Sequence, residues 1–349
     1  GSPMAGFDGA EVLTDQTYDV HGRLSSKSLP YKSGSSAAFI NYSYDNYDRI
    51  THTSAPSGSQ TSYSYSGTGV TETTNGVTGT KNFDASGELL SVTNNAGTIS
   101  YNLRPDGQPS SISAPGGANT SFSYDSYGRQ TAITDPSAGT VTYSYDAAGN
   151  LNKTTNAKGE SINSTFDNFN RLTGKTTPEL TSTYTYNTDG MLTGITNSNG
   201  TSKTLTYDNL GRVTQSKEQT GTEYYQINYT YQNGRITSVV HQPVNYTVNY
   251  VYNSYGYLNK LTNASGTAIK TISKINANGQ LEQVTLGNGL VQTNTYNAYG
   301  LLTGIKTANG ATNIQNMSYT MNNAKGLVDA RKDVTRNLTE TFQYDALMR

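Results

Sequence analysis

Tyr124-Asp125-Ser126-Tyr127-Gly128-Arg129 is the stretch whose reading decides the fold of this chain. Its frame is an aromatic residue, Asp, two free positions, Gly and Arg. The same frame stands at Tyr18-Asp19-Val20-His21-Gly22-Arg23 and at Tyr207-Asp208-Asn209-Leu210-Gly211-Arg212, and Tyr145-Asp146-Ala147-Ala148-Gly149 keeps all of it but the Arg. Looser copies begin at Tyr44, Tyr65, Phe83, Leu103, Phe166, Tyr186, Tyr231, Tyr252, Ile275, Tyr296, Met321 and Tyr344. Through the middle of the chain the copies follow one another at about 21 residues, a period that marks a repeat architecture.

Each copy reads as two strands and two turns. Phe122-Ser123-Tyr124, Tyr143-Ser144-Tyr145, Tyr184-Thr185-Tyr186, Tyr229-Thr230-Tyr231 and Tyr250-Val251-Tyr252 place aromatics at i and i+2, so one face of a strand is aromatic. Asp or Asn followed three residues later by Gly closes a hairpin: the carboxylate or amide caps the turn and Gly takes the left-handed backbone. A second turn follows each second strand, as at Asn94-Asn95-Ala96-Gly97 and Asn156-Ala157-Lys158-Gly159. Two strands of about six residues and two turns of about four account for the period. No amphipathic helical stretch interrupts the pattern, and the predicted class is all-β.

Composition narrows the function. The 349 residues carry 24 Lys and Arg against 25 Asp and Glu, a net charge of −1, which gives no electrostatic basis for binding nucleic acid or an anionic membrane. There is no Cys, hence no disulfide scaffold and no thiol chemistry, and no apolar run long enough to span a membrane as a helix. Thr, Asn and Ser make up more than a third of the chain, and 28 Tyr supply much of the apolar area while keeping a hydroxyl for water or a partner. This composition fits a secreted or surface protein of bacterial type. Gly1-Ser2-Pro3-Met4 reads as a cloning scar, so residues 1–4 are set apart; residues 5–17 are a lead-in, and 18–349 are an array of about fifteen repeats plus a truncated one.

Sixteen hairpins make roughly 32 strands, a ribbon about 150 Å wide at about 4.8 Å per strand. Open twisted sheets of that width must curl, so the prediction is a wide spiral of antiparallel hairpins forming a hollow shell. A propeller would need a 42-residue superperiod, whereas successive units look equivalent. Leucine-rich repeats would need a recurring Leu-x-x-Leu-x-Leu, which is absent.

The Tyr-Asp-x-x-Gly-Arg frame repeated at this spacing resembles the YD-repeat, or rearrangement hotspot (RHS), family, over about Thr17 to Arg349. That family includes bacterial polymorphic toxins, the shell-forming parts of insecticidal toxin complexes, wall-associated surface proteins and the animal teneurins. The resemblance implies a β-spiral cocoon, which in the toxins encloses a C-terminal toxic polypeptide. The implied partners are such a toxin or other cargo polypeptide and, in toxin complexes, other subunits. The core region that ends the shell of the toxin members has no counterpart here, and the chain stops inside a repeat at Tyr344-Asp345-Ala346-Leu347-Met348-Arg349; the expectation is a fragment whose open edge associates with another copy unless the charged stretch 325–340 shields it.

No catalytic, cofactor-binding or metal-binding residue emerges, and no cofactor is expected. The repeated carboxylates, Asp19, Asp125, Asp146 and Asp208 among them, sit first in their turns. Asn stands in their place at Asn187, Asn253 and Asn297, which keeps the turn hydrogen bond and drops the charge. Arg23, Arg129, Arg212 and their equivalents pack on neighbouring Tyr rings or pair with a turn Asp. The three His (His21, His52, His241) are scattered. The chain thus reads as a non-enzymatic structural module that encloses or presents another polypeptide. The alternative is an extracellular adhesion or carbohydrate-binding module, since aromatic faces beside amides and hydroxyls suit sugars.

Overall fold

The strands alternate small hydroxylated residues with aromatics, and the hairpins they build follow one another along the chain. In a computed structural model the described residues are 4–345; the first three residues assigned to the scar and the last four of the truncated repeat lie outside them. The described residues are all-β, with a single turn of 3₁₀-helix among them at Pro115–Gly117. It divides into two compact units, one made of the residues up to Asn82 together with those from Asn249 onward, the other of Phe83–Val248.

In the second unit every strand from Leu89–Asn94 to Arg235–Gln242 pairs antiparallel with its neighbour in sequence. Along Asn119–Tyr124 exposed and half-buried residues alternate strictly, with Phe122 and Tyr124 on the half-buried face. The first strand of a repeat meets the second through a bulge. Ser123 faces Ala132 and Tyr124 faces Gln130, so Thr131 is left over, and the same shift recurs at Tyr145, Phe166, Tyr186 and Tyr207. An extra residue on one strand bends it and raises the local twist, which is the curvature a long run of hairpins requires.

The first unit is built of the same hairpins in two segments of chain, plus a small sheet in which Glu11–Leu13 lies between Met4–Ala5 and Tyr31–Lys32. The two segments meet at their turns. Asn253 donates to the Phe7 carbonyl at 2.7 Å across 246 residues of sequence, and Asn75 donates to the Ala324 carbonyl at 2.7 Å across 249. The charged stretch from Lys325 forms the hairpin Leu327–Asp333 with Leu338–Thr341, in which Arg331 Nε donates to Glu340 at 2.8 Å.

Among the described residues the only buried apolar side chains are Val239, Ile272, Val284 and Ala308. Stability is therefore spread over cross-strand contacts instead of collected in a core. Facing threonines supply many of them: Thr71 with Thr80 at 3.0 Å, Thr93 with Thr98 at 2.9 Å, Thr134 with Thr140 at 2.9 Å. The Thr-, Ser- and Tyr-rich composition is what a sheet wetted on much of both faces demands. No helix among the described residues is long and apolar enough to cross a membrane.

Candidate functional site

The recurring constellation is the turn. At Asp125 the main chain closes a hairpin: Asp125 N donates to Arg129 O at 2.9 Å and Gly128 N to Asp125 O at 3.1 Å. The carboxylate then caps it, with Oδ1 accepting from Tyr127 N and Arg129 N, both at 2.9 Å, and Oδ2 from Arg129 Nε at 2.7 Å. Gly128 has φ +77°, a conformation that strains any residue with a Cβ. Asp19 with Gly22 and Arg23, and Asp208 with Gly211 and Arg212, repeat the arrangement. Asp146 with Gly149 does so with Asn150 Nδ2, at 3.0 Å, in place of the guanidinium.

The turns that carry an arginine also reach the next repeat. Arg129 lies 4.6 Å over the Tyr145 ring, Arg23 4.6 Å over Tyr44, Arg171 4.6 Å over Tyr186 and Arg212 4.5 Å over Tyr231. One guanidinium thus serves as ion-pair partner within its own turn and as cation on the following aromatic. Both roles that sequence offered for these arginines occur together.

The tyrosine hydroxyl closes the link, and this contact had no signal in the sequence. Tyr145 donates to Gln130 O at 2.7 Å, Tyr124 to Pro109 O at 2.8 Å, Tyr186 to Leu172 O at 2.8 Å and Tyr207 to Leu192 O at 2.6 Å. In each case the acceptor lies just beyond the end of the ladder between repeats. Pairing of Gln130–Asp135 with Gly139–Tyr145 stops at Ala132, and the Tyr145 hydroxyl spans the remaining gap. Tyr18 instead donates to Gln16 Oε1 at 2.9 Å.

The carboxylates are held ionised. The Arg212 guanidinium on Asp208 keeps that carboxyl below the usual carboxylate range, against partial desolvation. At Asp125 desolvation is the largest influence and acts upward, but the hydrogen bonds from Arg129 and Tyr127 outweigh it and the group is lowered. At a turn on the opposite edge, the Ser137 hydroxyl and amide, the Ala138 amide and the Thr120 hydroxyl lower Asp135 to about 2. The three histidines have separate settings: the main-chain N of His21 donates to Asp19 Oδ1 at 2.9 Å within its turn, His52 meets Ser62 at 3.2 Å and His241 meets Tyr225 at 2.6 Å. Among the described residues no three ionisable side chains gather as metal ligands.

One pattern at the turn tips escapes a repeat-by-repeat comparison. The residue before the turn Gly, or before Asn170 where Asn takes that place, is large and apolar at Tyr127, Phe169, Leu210, Tyr255 and Tyr299, and small or polar at Ala148, Asp189 and Asn278 in between. The equivalence of successive units therefore holds for strands and turns but not for the tips. Tyr127, Phe169 and Leu210 are 83%, 79% and 77% exposed, whereas Tyr299 is half-buried beside Ala55, Pro56 and Ser57.

The RHS Repeat family profile matches residues 105–140, 128–161 and 186–223. No curated protein matches the sequence. Among solved structures, that of TcdB2-TccC3-TEV is similar at 16% identity and a TM-score of 0.75, over 97% of this chain and 21% of that one. TcdB2-TccC3 matches at 16% identity with a TM-score of 0.65, over 99% of this chain and 22% of that one. The Photorhabdus luminescens Tc holotoxin pore matches at 15% identity with a TM-score of 0.64, again over 99% and 22%. The chain spans about a fifth of the length of these chains and shares their fold over that part.

Proposed function

We propose that this chain, which belongs to the RHS-repeat family, is a length of structural wall that encloses or presents another polypeptide and carries out no catalysis itself. The observation that supports this most is the link between repeats. Turns that carry an arginine join the next repeat through a guanidinium on a ring, tyrosine hydroxyls bond main-chain carbonyls of the preceding repeat, and these contacts extend a sheet without building a core. Such a sheet separates what lies on its two faces and needs no chemical centre. The similarity to toxin-complex structures supports a bacterial setting outside the cytoplasm. There the partner is a polypeptide continuous with the wall or another subunit of a toxin complex.

The test is protection. In the full-length protein, the enclosed segment resists an added protease while the wall is folded. It becomes cleavable at the denaturant concentration that unfolds the wall, and wall-destabilising substitutions such as Gly128→Val lower that concentration. Cleavage of the segment at one rate whether the wall is folded or not sinks the proposal. Enrichment of the intact chain on a glycan array, with no protected segment, establishes the adhesion reading in its place.

A further inference from the structure

Two electrostatic kinds of turn contrast, beside others such as Asp84 with Glu88 and Asp146 with Asn150. Asp19 with Arg23, Asp45 with Arg49, Asp125 with Arg129, Asp167 with Arg171 and Asp208 with Arg212 are ion pairs. Asn187 with Met191, Asn253 with Tyr257, Asn276 with Gln280 and Asn297 with Leu301 are neutral. Exchanging Asp for Asn turns one acceptor oxygen into a donor, and that donor needs an acceptor. Three of the four find one: Asn253 Nδ2 donates to Phe7 O at 2.7 Å, Asn276 Nδ2 to Gln280 Oε1 at 2.9 Å and Asn297 Nδ2 to Asn323 Oδ1 at 2.8 Å. Asn187 uses its Oδ1 to cap Asp189 N at 3.1 Å and Met191 N at 2.8 Å, and no acceptor among the described residues takes its amide nitrogen.

The open amide borders a cleft of about 500 Å³ between two successive turns, lined also by Asp189, Met191, Leu205 and Tyr207. Met191 replaces the arginine that would stack on Tyr207, and its sulfur lies 3.4 Å from where a Cβ on Gly211 would stand. Asp189, exposed at the tip, has no ionic partner among the described residues.

The turn at Asn253 shows what a neutral turn holds. A loop from the start of the chain sits on it. The Phe7 carbonyl takes the Asn253 amide, and the Phe7 ring meets Tyr257 edge-on at 6.0 Å and 66°. Gly9 lies so close to Tyr255 that a Cβ there would collide with its hydroxyl oxygen. We propose that Asn187–Met191 is the same kind of seat left open: a docking site for a loop of another polypeptide. That loop offers a main-chain carbonyl to Asn187, an aromatic side chain to Met191 and a cation to Asp189. The site goes beyond the wall reading, since a wall with no enclosed segment carries it equally.

The five methionines make Met191 a resolvable reporter in the intact chain labelled with ¹³C-methyl methionine. The probe is a capped Gly-Phe-Lys-Gly tetrapeptide. The Met191 methyl resonance shifts saturably with it, and replacing the Phe by Ala or the Lys by Asp weakens the response by about fivefold each, the equivalent of one modest contact. Asn187→Asp keeps the turn, because Asp caps the neighbouring turn at Asp208, but it removes the donor; binding weakens by about fivefold or more. An unmoved Met191 resonance, an Asn187→Asp chain that binds as well as the parent, or an equal shift with glucose overturns the proposal, the last marking a sugar site.

Discussion

Replacing Tyr145 by Phe removes one hydroxyl and leaves the ring in place under Arg129. The hydroxyl lies 2.7 Å from Gln130 O, where the ladder between the two repeats has already ended at Ala132. A net hydrogen bond of this kind contributes about 1 kcal/mol, more if its acceptor is then left without water. The cation over the ring is untouched, so no further loss is expected. In a repeat array the cost falls on one junction, and global melting of so long an array is a poor gauge of it. Hydrogen exchange is the suitable assay: amides of Gln130–Asp135 and Gly139–Tyr145 should exchange about fivefold faster, with distant strands unchanged. Tyr127→Phe is the control, because Tyr127 is 83% exposed and its hydroxyl meets no acceptor among the described residues; its effect should stay below about 0.5 kcal/mol. If the two variants exchange alike, the hydroxyl-to-carbonyl contact does not join the repeats.

Further outcomes follow from the same geometry. Gly128→Val should destabilise by about 1–2 kcal/mol or more through its positive φ, and by more than Asp125→Asn, which keeps the cap on the Tyr127 and Arg129 amides and loses only the part-exposed ion pair with the Arg129 guanidinium; equal shifts in urea midpoint would mean that the ion pair matters as much as the backbone strain. Asn253→Asp sets a carboxylate against the Phe7 carbonyl, so amides near Phe7 should exchange faster while those of the Asp125 turn do not change. Asp208 and Asp135 have lowered folded pKa values, so their stabilisation is complete above the unfolded value of about 3.9 and fades as pH falls through the folded ones, about 2 for Asp135. Melting temperature should be level near neutrality and drop between about pH 4 and 2; a rise on acidification would contradict this. Far-UV circular dichroism should show strand with helix well under the third usual for ordinary domains.

The hairpins were legible because strand and turn each leave a local mark. Aromatics two apart at Tyr143 and Tyr145 fix a face, and Asp146 three before Gly149 fixes a reversal. The bulge at Thr131 was not legible, since it answers to twist over the whole sheet and any residue can occupy it. The hydroxyl link at Tyr145 depends on where pairing stops at Ala132, a property of register that no spacing within one repeat encodes. The neutral turns were visible as Asn for Asp, yet their consequence was hidden. At Asn253 the exchange does more than preserve a cap, because the amide bonds a segment 246 residues away.

The two contacts that join distant segments, at separations of 246 and 249 residues, are particular where the run of repeats is generic. Within the run, one repeat asks of its neighbour little more than a ring, a hydroxyl and a main-chain carbonyl, so repeats of differing sequence can stand in for one another. The first unit is stitched instead by named partners, Asn253 with Phe7 and Asn75 with Ala324. Drift in sequence is therefore cheap along the run and costly at the stitches, where a change on one segment calls for a matching change on the other.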